Sequence, residues 1–218
     1  MKLMQRRFIM SAMPKQPPYT LEAYVELEAQ TGAKYHYEAG KVYLMAGGSP
    51  NHSRLQRNVV TALYARLRGT PCEVHGSDLR LGIPFRDTYT YPDASVVCGQ
   101  AEYAKRPKYT LLNPILLVEV LSPSTAAYDM NEKFALYRHI PSFETYLLLS
   151  QDRVRAMLYR KTQEGWLLHV EDALEATLTL ALGTGIALPM QELYDGVVFD
   201  SANAELGTFP YASTQDET

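Results

Sequence analysis

Three side chains that could together work on a phosphate stand in the middle of the chain: Asp93 after Tyr91-Pro92, Glu119 inside the apolar run Ile115 to Leu121, and Lys133 just beyond. A carboxylate in an apolar run of strand type is costly unless a cation or hydrogen bonds satisfy it. Pro92 can begin a strand but not occupy its middle, so Asp93 is expected at the mouth of a second strand, Ala94 to Cys98. Two neighbouring strands would then bring the carboxylates together. Oxygen ligands of this kind suit Mg²⁺ or Mn²⁺, which takes one or two protein carboxylates and keeps waters for chemistry on phosphates. The expected metal set is Asp93, Glu119 and the backbone carbonyl of Val120.

Asp129, Lys133 and Tyr137 recur every four residues, so a helix over Asp129 to His139 places them on one face. Each candidate also has a plain reading. Glu119 could be a structural carboxylate paired with Lys133, Asp93 a turn cap, and Tyr137 a packing residue. His52 lies in the first turn of a helix, where a surface or packing role is the simpler one. Asp78 alternates with Leu79, Leu81 and Ile83 on a half-buried strand and could merely solvate its face. Ser122 and Ser124 have no paired histidine pattern, which argues against a serine hydrolase.

Several elements must position these groups. Thr20 reads as the N-cap of a helix to about Gln30, stopped by Gly32. A hairpin follows around Glu38-Ala39-Gly40. Asn51 is expected to open a second helix to about Arg68, with Leu55, Val59, Leu63 and Leu67 as its apolar stripe and Arg54, Arg57, Arg66 and Arg68 among its polar positions. Strands are expected over Glu73 to Ile83, Ala94 to Cys98 and Ile115 to Leu121. After the Asp129 helix, further strands read over Thr145 to Leu149, Val154 to Arg160 and Trp166 to Val170, the last two joined by a hairpin loop at 161–165.

The chain resembles the Uma-two family of restriction-endonuclease-like proteins, within the PD-(D/E)XK nuclease superfamily. Tyr19 to Tyr24, Tyr37 to Val42, His52, Ser77 to Leu81, Tyr91-Pro92-Asp93, Glu119 to Thr125, Asp129, Lys133, Tyr137, Pro141-Ser142 and Tyr146 carry the likeness, over about residues 18 to 196. It implies an α+β fold, a central mixed sheet flanked by helices. It implies a metal-dependent endonuclease acting on DNA, with Asp93, Glu119, Lys133 and Glu38 catalytic. Asp78, Asp129, Tyr137 and His52 stand behind them, with Glu38 and Asp78 as water-orienting or further metal candidates. The superfamily lysine belongs two residues after the second acid, where this chain has Leu121. The family carries its lysine at the helical position of Lys133 instead.

Composition agrees with one domain: 218 residues, 46% hydrophobic. The leader is expected at 1–17, the domain at 18–200 and an acidic tail at 201–218. Cys72 and Cys98 read as ordinary buried thiols in a reducing compartment, and a cytoplasmic protein is expected. No run approaches a membrane span. Up to Lys161 the chain holds all 21 Lys and Arg against 14 Asp and Glu, net +7, while the remainder has ten acids and no Lys or Arg. The basic part carries the candidate site, the distribution a phosphate-binding surface needs, although solvated faces of an ordinary globule would look the same. DNA is the expected partner, with Arg54 and Arg57 on its backbone and a homodimer left open. The rivals are a catalytically silent nuclease fold that binds or scaffolds and, more weakly, a sugar hydrolase using two carboxylates.

Overall fold

A computed structural model describes residues 18–199 apart from Ala46, Ser124, Gly183 and Thr184. The expected leader at 1–17 and tail at 201–218 lie outside the described residues. Helix α1 (Leu21–Thr31) starts at Thr20, whose hydroxyl accepts from the Ala23 N–H, and ends at Gly32 in the left-handed conformation. The hairpin of β1 (Tyr35–Glu38) and β2 (Lys41–Leu44) turns through Ala39 and Gly40, both at positive φ. Helix α2 (Pro50–Leu67) is capped by Ser49, not opened by Asn51: Pro50 takes the first turn, where its missing N–H costs nothing. Asn51 instead ties the helix to Gln151 and Val198.

The expected long strand from Glu73 to Ile83 is two strands in different sheets. β3 (Cys72–Gly76) and β4 (Arg80–Ile83) are separated by a turn that carries Asp78. β5 (Thr88–Thr90), β6 (Ala94–Cys98), β7 (Thr110–Leu111) and β8 (Leu116–Leu121) follow. A helical segment then runs through α3 (Ala126–Tyr128), a π-helical turn Asp129–Lys133 and α4 (Phe134–Tyr137). β9 (Thr145–Ser150), β10 (Ala156–Thr162) and β11 (Gly165–Glu171) are near their expected places. The sequence reading did not anticipate β12 (Thr177–Leu180), β13 (Ile186–Pro189) or the short α5 (Met190–Leu193).

Six strands form the central sheet in the order β11-β10-β9-β8-β6-β3, with β8 and β9 parallel and the other neighbours antiparallel. The helical segment 126–137 lies in the connection between the two parallel strands. A second sheet, β2-β1-β5-β4-β7, holds the N-terminal hairpin. α2 buries Leu55, Val59, Leu63 and Leu67 with Val118 and Val120 on one side of β8. Leu117 and Leu121 join Leu136, Tyr137 and Tyr146 on the other. Each such fully buried aliphatic side chain is worth about 1.5–3 kcal/mol. The period of a strand therefore puts Glu119 on the face of the helical segment, turned away from α2.

The cysteines are not free thiols. Cys72 and Cys98 are direct partners in the antiparallel register of β3 and β6 and form a disulfide. That bond removes the ground on which a reducing compartment was expected. No helix among the described residues is long and apolar enough to cross a membrane.

Candidate active site

β6 and β8 pair Ala94 with Val118, and one further step of that register sets Asp93 across from Glu119. Asp93 meets α2 there, while Glu119 meets the helical segment. Asp93 is held there by Val120, whose N–H donates to its Oδ2 at 2.7 Å. Gln56 of α2 donates to Oδ1 at 3.3 Å, and His52 Nε2 stands 3.3 Å from Oδ2. Gly48 makes room for that imidazole, since a Cβ there would meet His52 Nδ1 at 2.6 Å.

From the other side, the helical segment delivers its spaced residues. Lys133 Nζ lies 3.0 Å from Glu119 Oε2 and 2.9 Å from Asp129 Oδ1. Tyr137 donates its hydroxyl to Glu119 Oε1 at 2.6 Å, and Tyr146 of β9 donates to the Asp129 carbonyl at 3.1 Å. Glu119, Asp129 and Lys133 are all buried. A π-helical turn under the ion pair fits the habit of such turns to occur at functional positions.

Asp93, Glu119, Asp129 and Lys133 line one cavity of about 650 Å³, which also takes in Glu38 and His52. Four carboxylates line it with one ammonium. Burial pushes the Glu119 carboxyl up to about 7, against the pull of Lys133. Burial by itself would lower Lys133, but Glu119 and Asp129 outweigh it and raise the ammonium above its ordinary value. His52 is desolvated too, yet the hydrogen bond and charge of Asp93 raise it.

All of the first-rank candidates, and Asp129 and His52 behind them, line this cavity, and Tyr137 reaches it through its hydrogen bond to Glu119. Val120 meets Asp93 through its N–H, whereas its carbonyl had been the expected contributor. Asp78 does not join them. It sits in the β3–β4 turn, pairs with Lys34 at 2.6 Å and keeps 98% of its side chain exposed, because the strand expected to carry it breaks there. Arg54 bonds Asn51 and Arg57 bonds Asn58, and Arg57 lines a different cavity with Glu192 and Asp195.

Sequence reasoning passed over His36 and Tyr128. Tyr128 Oη lies 2.9 Å from His36 Nε2, and Glu38 Oε2 is 3.6 Å from the same nitrogen. Burial, then the nearby Lys133, lowers the His36 pKa. Its Nδ1 and the Thr90 hydroxyl are buried without a hydrogen-bond partner on the same cavity wall. The two-residue spacing of His36 and Glu38, which places both on one face of β1, was the available signal. A buried knot was also missed: Glu28 accepts from the Tyr24 and Tyr91 hydroxyls and pairs with Arg80, so the residue two before Asp93 is anchored to α1.

These residues fit a hard divalent cation of the partly hydrated kind. No group of three or more His, Cys, Asp or Glu side chains among the described residues forms a ready metal cage. Two carboxylates on paired strands, an excess of buried negative charge and open space beside them suit an ion that keeps its waters. Residues 21–191 match the family described as "Uma2: Putative restriction endonuclease". The chain belongs to the Uma2 family. It is 36% identical over 184 residues to the uncharacterised protein slr1290 of Synechocystis sp., spanning 84% of this chain and 95% of that one. The uncharacterised protein sll1609 of the same organism is 35% identical over 150 residues, spanning 68% of this chain and 85% of its own length. Among solved structures, the crystal structure of a "putative nuclease belonging to DUF820" from Anabaena variabilis matches with a TM-score of 0.65 at 19% identity, over 83% of this chain and all of that one. That likeness shows the fold, the mixed α+β, restriction-endonuclease-like architecture expected of this Uma2 chain.

Proposed function

We propose that this Uma2 protein is a divalent-metal-dependent endonuclease that hydrolyses phosphodiester bonds in DNA. The observation that carries the reading is Lys133, which reaches from the helical segment to Glu119, in the cavity shared with Asp93. An ammonium beside the second acid is what the superfamily pattern requires, and Leu121 cannot supply it. Asp93 and Glu119 would hold Mg²⁺ or Mn²⁺. When bound, the ion would polarise the scissile phosphate and acidify a water. Lys133 acts as a compact point charge on the phosphate or the attacking water. Asp129 and Tyr137 hold Lys133 and Glu119 in place, while Glu38, lining the same cavity, offers an acceptor for that water. The family's description as a restriction endonuclease, and a structural neighbour described as a "putative nuclease", support nuclease chemistry.

Supercoiled plasmid incubated with Mg²⁺ or Mn²⁺ should be nicked or linearised, and chelation should stop it. Asp93→Ala, Glu119→Ala and Lys133→Ala should each abolish cleavage. Cleavage that survives Glu119→Ala unchanged would overturn the assignment. The rival, a silent nuclease fold, is favoured by one observation: Lys133 is already neutralised by two buried carboxylates, a self-satisfied arrangement that needs no substrate. No cleavage under any metal, with DNA binding retained, would select it.

A further inference from the structure

β11 is the outermost strand of the six-stranded sheet, and among the described residues no strand pairs with its far side. It is seven residues long, and its register with β10 is unbroken from Ala156↔Glu171 to Thr162↔Gly165. Soluble proteins guard such an edge with lysine, proline, a bulge or a cover. Between Gly165 and Glu171 there is no Lys, Arg or Pro. Leu167, Leu168 and Val170 are instead 52%, 44% and 43% exposed. That is a costly way to end a sheet in water unless something completes it.

The hydrogen-bond phase of the strand says what could. The β10–β11 hairpin closes on Thr162 and Gly165 around a two-residue loop, so residues 165, 167, 169 and 171 turn their backbone groups inward to β10. Trp166, Leu168 and Val170 then point their N–H and C=O groups outward. A second β11 laid antiparallel about a two-fold axis through Leu168 presents the same three residues. Leu168 faces Leu168, and Trp166 faces Val170 twice over, giving about six main-chain hydrogen bonds in the correct phase. The side chains agree. Trp166, Leu168 and Val170 of both copies would share one face. On the other, Leu167 would meet His169, and at the ends Glu171 would meet Gly165, so no like charges are opposed. We infer that two copies of this chain associate through β11, with Leu168 on the two-fold axis, to form a continuous twelve-stranded sheet from two sheets of six.

The association does not depend on the catalytic chemistry, and its test does not need activity. Sedimentation of the full chain should give twice the 24.6 kDa chain mass, falling to a single chain for Leu168→Lys, which sets two ammonium groups against each other. Leu168→Cys provides a check that does not rely on weakening the protein. Across the axis the two Cα atoms should stand about 5.5 Å apart, within the usual disulfide span, so mild oxidation should give a covalent dimer on a non-reducing gel. Leu167→Cys should not cross-link, because that residue is offset from its own copy along the strand. A wild-type chain that is monomeric at every concentration would overturn the inference. So would a dimer that cross-links equally well through Leu167→Cys, or a folded Leu168→Lys chain that stays dimeric.

Discussion

Glu119 is a carboxylate buried against its own solvation, and its neighbours make the consequences testable. Its carboxyl, pushed up to about 7 by burial, binds a proton more tightly in the folded chain than in the unfolded one. Its contribution to stability is therefore complete below about 4.5 and is lost as the pH rises through about 7. Cleavage that needs the ionised carboxylate should run the opposite way, with an acid limb near that value. Lys133→Met removes the main influence that lowers Glu119, and with cleavage lost the shift is read from stability. In thermal melts the variant should lose stability as pH rises through neutrality more steeply than the wild type does. An unmoved pH dependence of the melts would show that Lys133 does not govern Glu119. Removing one partner of a buried ion pair costs about 3–5 kcal/mol, so the melts must be read before the kinetics. Tyr137→Phe is gentler. It strips the 2.6 Å donor from Glu119 Oε1 and should cost about 1–3 kcal/mol in urea denaturation.

At the scale of elements, the site is a meeting of β6, β8 and the helical segment 126–137, braced from behind by α2. β6 is fixed at its Asp93 end by Val120 and Gln56 and at its other end by the disulfide to β3. The disulfide closes a loop with a sequence separation of 26. In the chain-entropy account a loop of this length is worth about 3.5 kcal/mol. Cys72→Ser with Cys98→Ser should lower the unfolding free energy by roughly that amount, and reductant should do the same to the wild type and nothing to the variant. Equal denaturation midpoints for the oxidised wild type and the double variant would show that the bond adds no stability.

For the whole molecule, the separation of charge along the chain becomes a separation in space only in part. The basic residues up to Lys161 include Arg57, but the fold brings acids of the C-terminal part beside it: Glu192 and Asp195 line the same cavity, and Glu192 pairs with Arg66. DNA affinity should still fall with rising salt, and Arg54→Ala with Arg57→Ala should flatten the slope of log K against log salt by roughly one unit for each phosphate the protein no longer neutralises. Fluorescence anisotropy across a salt series measures this. An unchanged slope would move the backbone-tracking role off α2.

Local signals were enough to place much of the site. A carboxylate in an apolar strand, a proline before an acid and a four-residue spacing of Asp129, Lys133 and Tyr137 are short-range patterns whose meaning does not depend on distant chain. So are the Thr20 cap and the Gly32 stop. What the sequence left open were matters of register and partner. Asp78 follows the alternation of a strand, yet the chain turns there because β3 and β4 belong to different sheets. Cys72 and Cys98 look like separate buried thiols until the β3–β6 register sets them opposite each other. His36 and Tyr128 meet although 92 residues separate them. Lys133 could have pointed to solvent from the same helical face; the packing of Leu136 and Tyr137 against Leu117 and Leu121 turns it toward Glu119. Side-chain type and spacing act through neighbouring residues and are written in the chain. Which strands pair, and in what register, is set by the burial of whole faces at once, so it emerges only when the tertiary fold is complete.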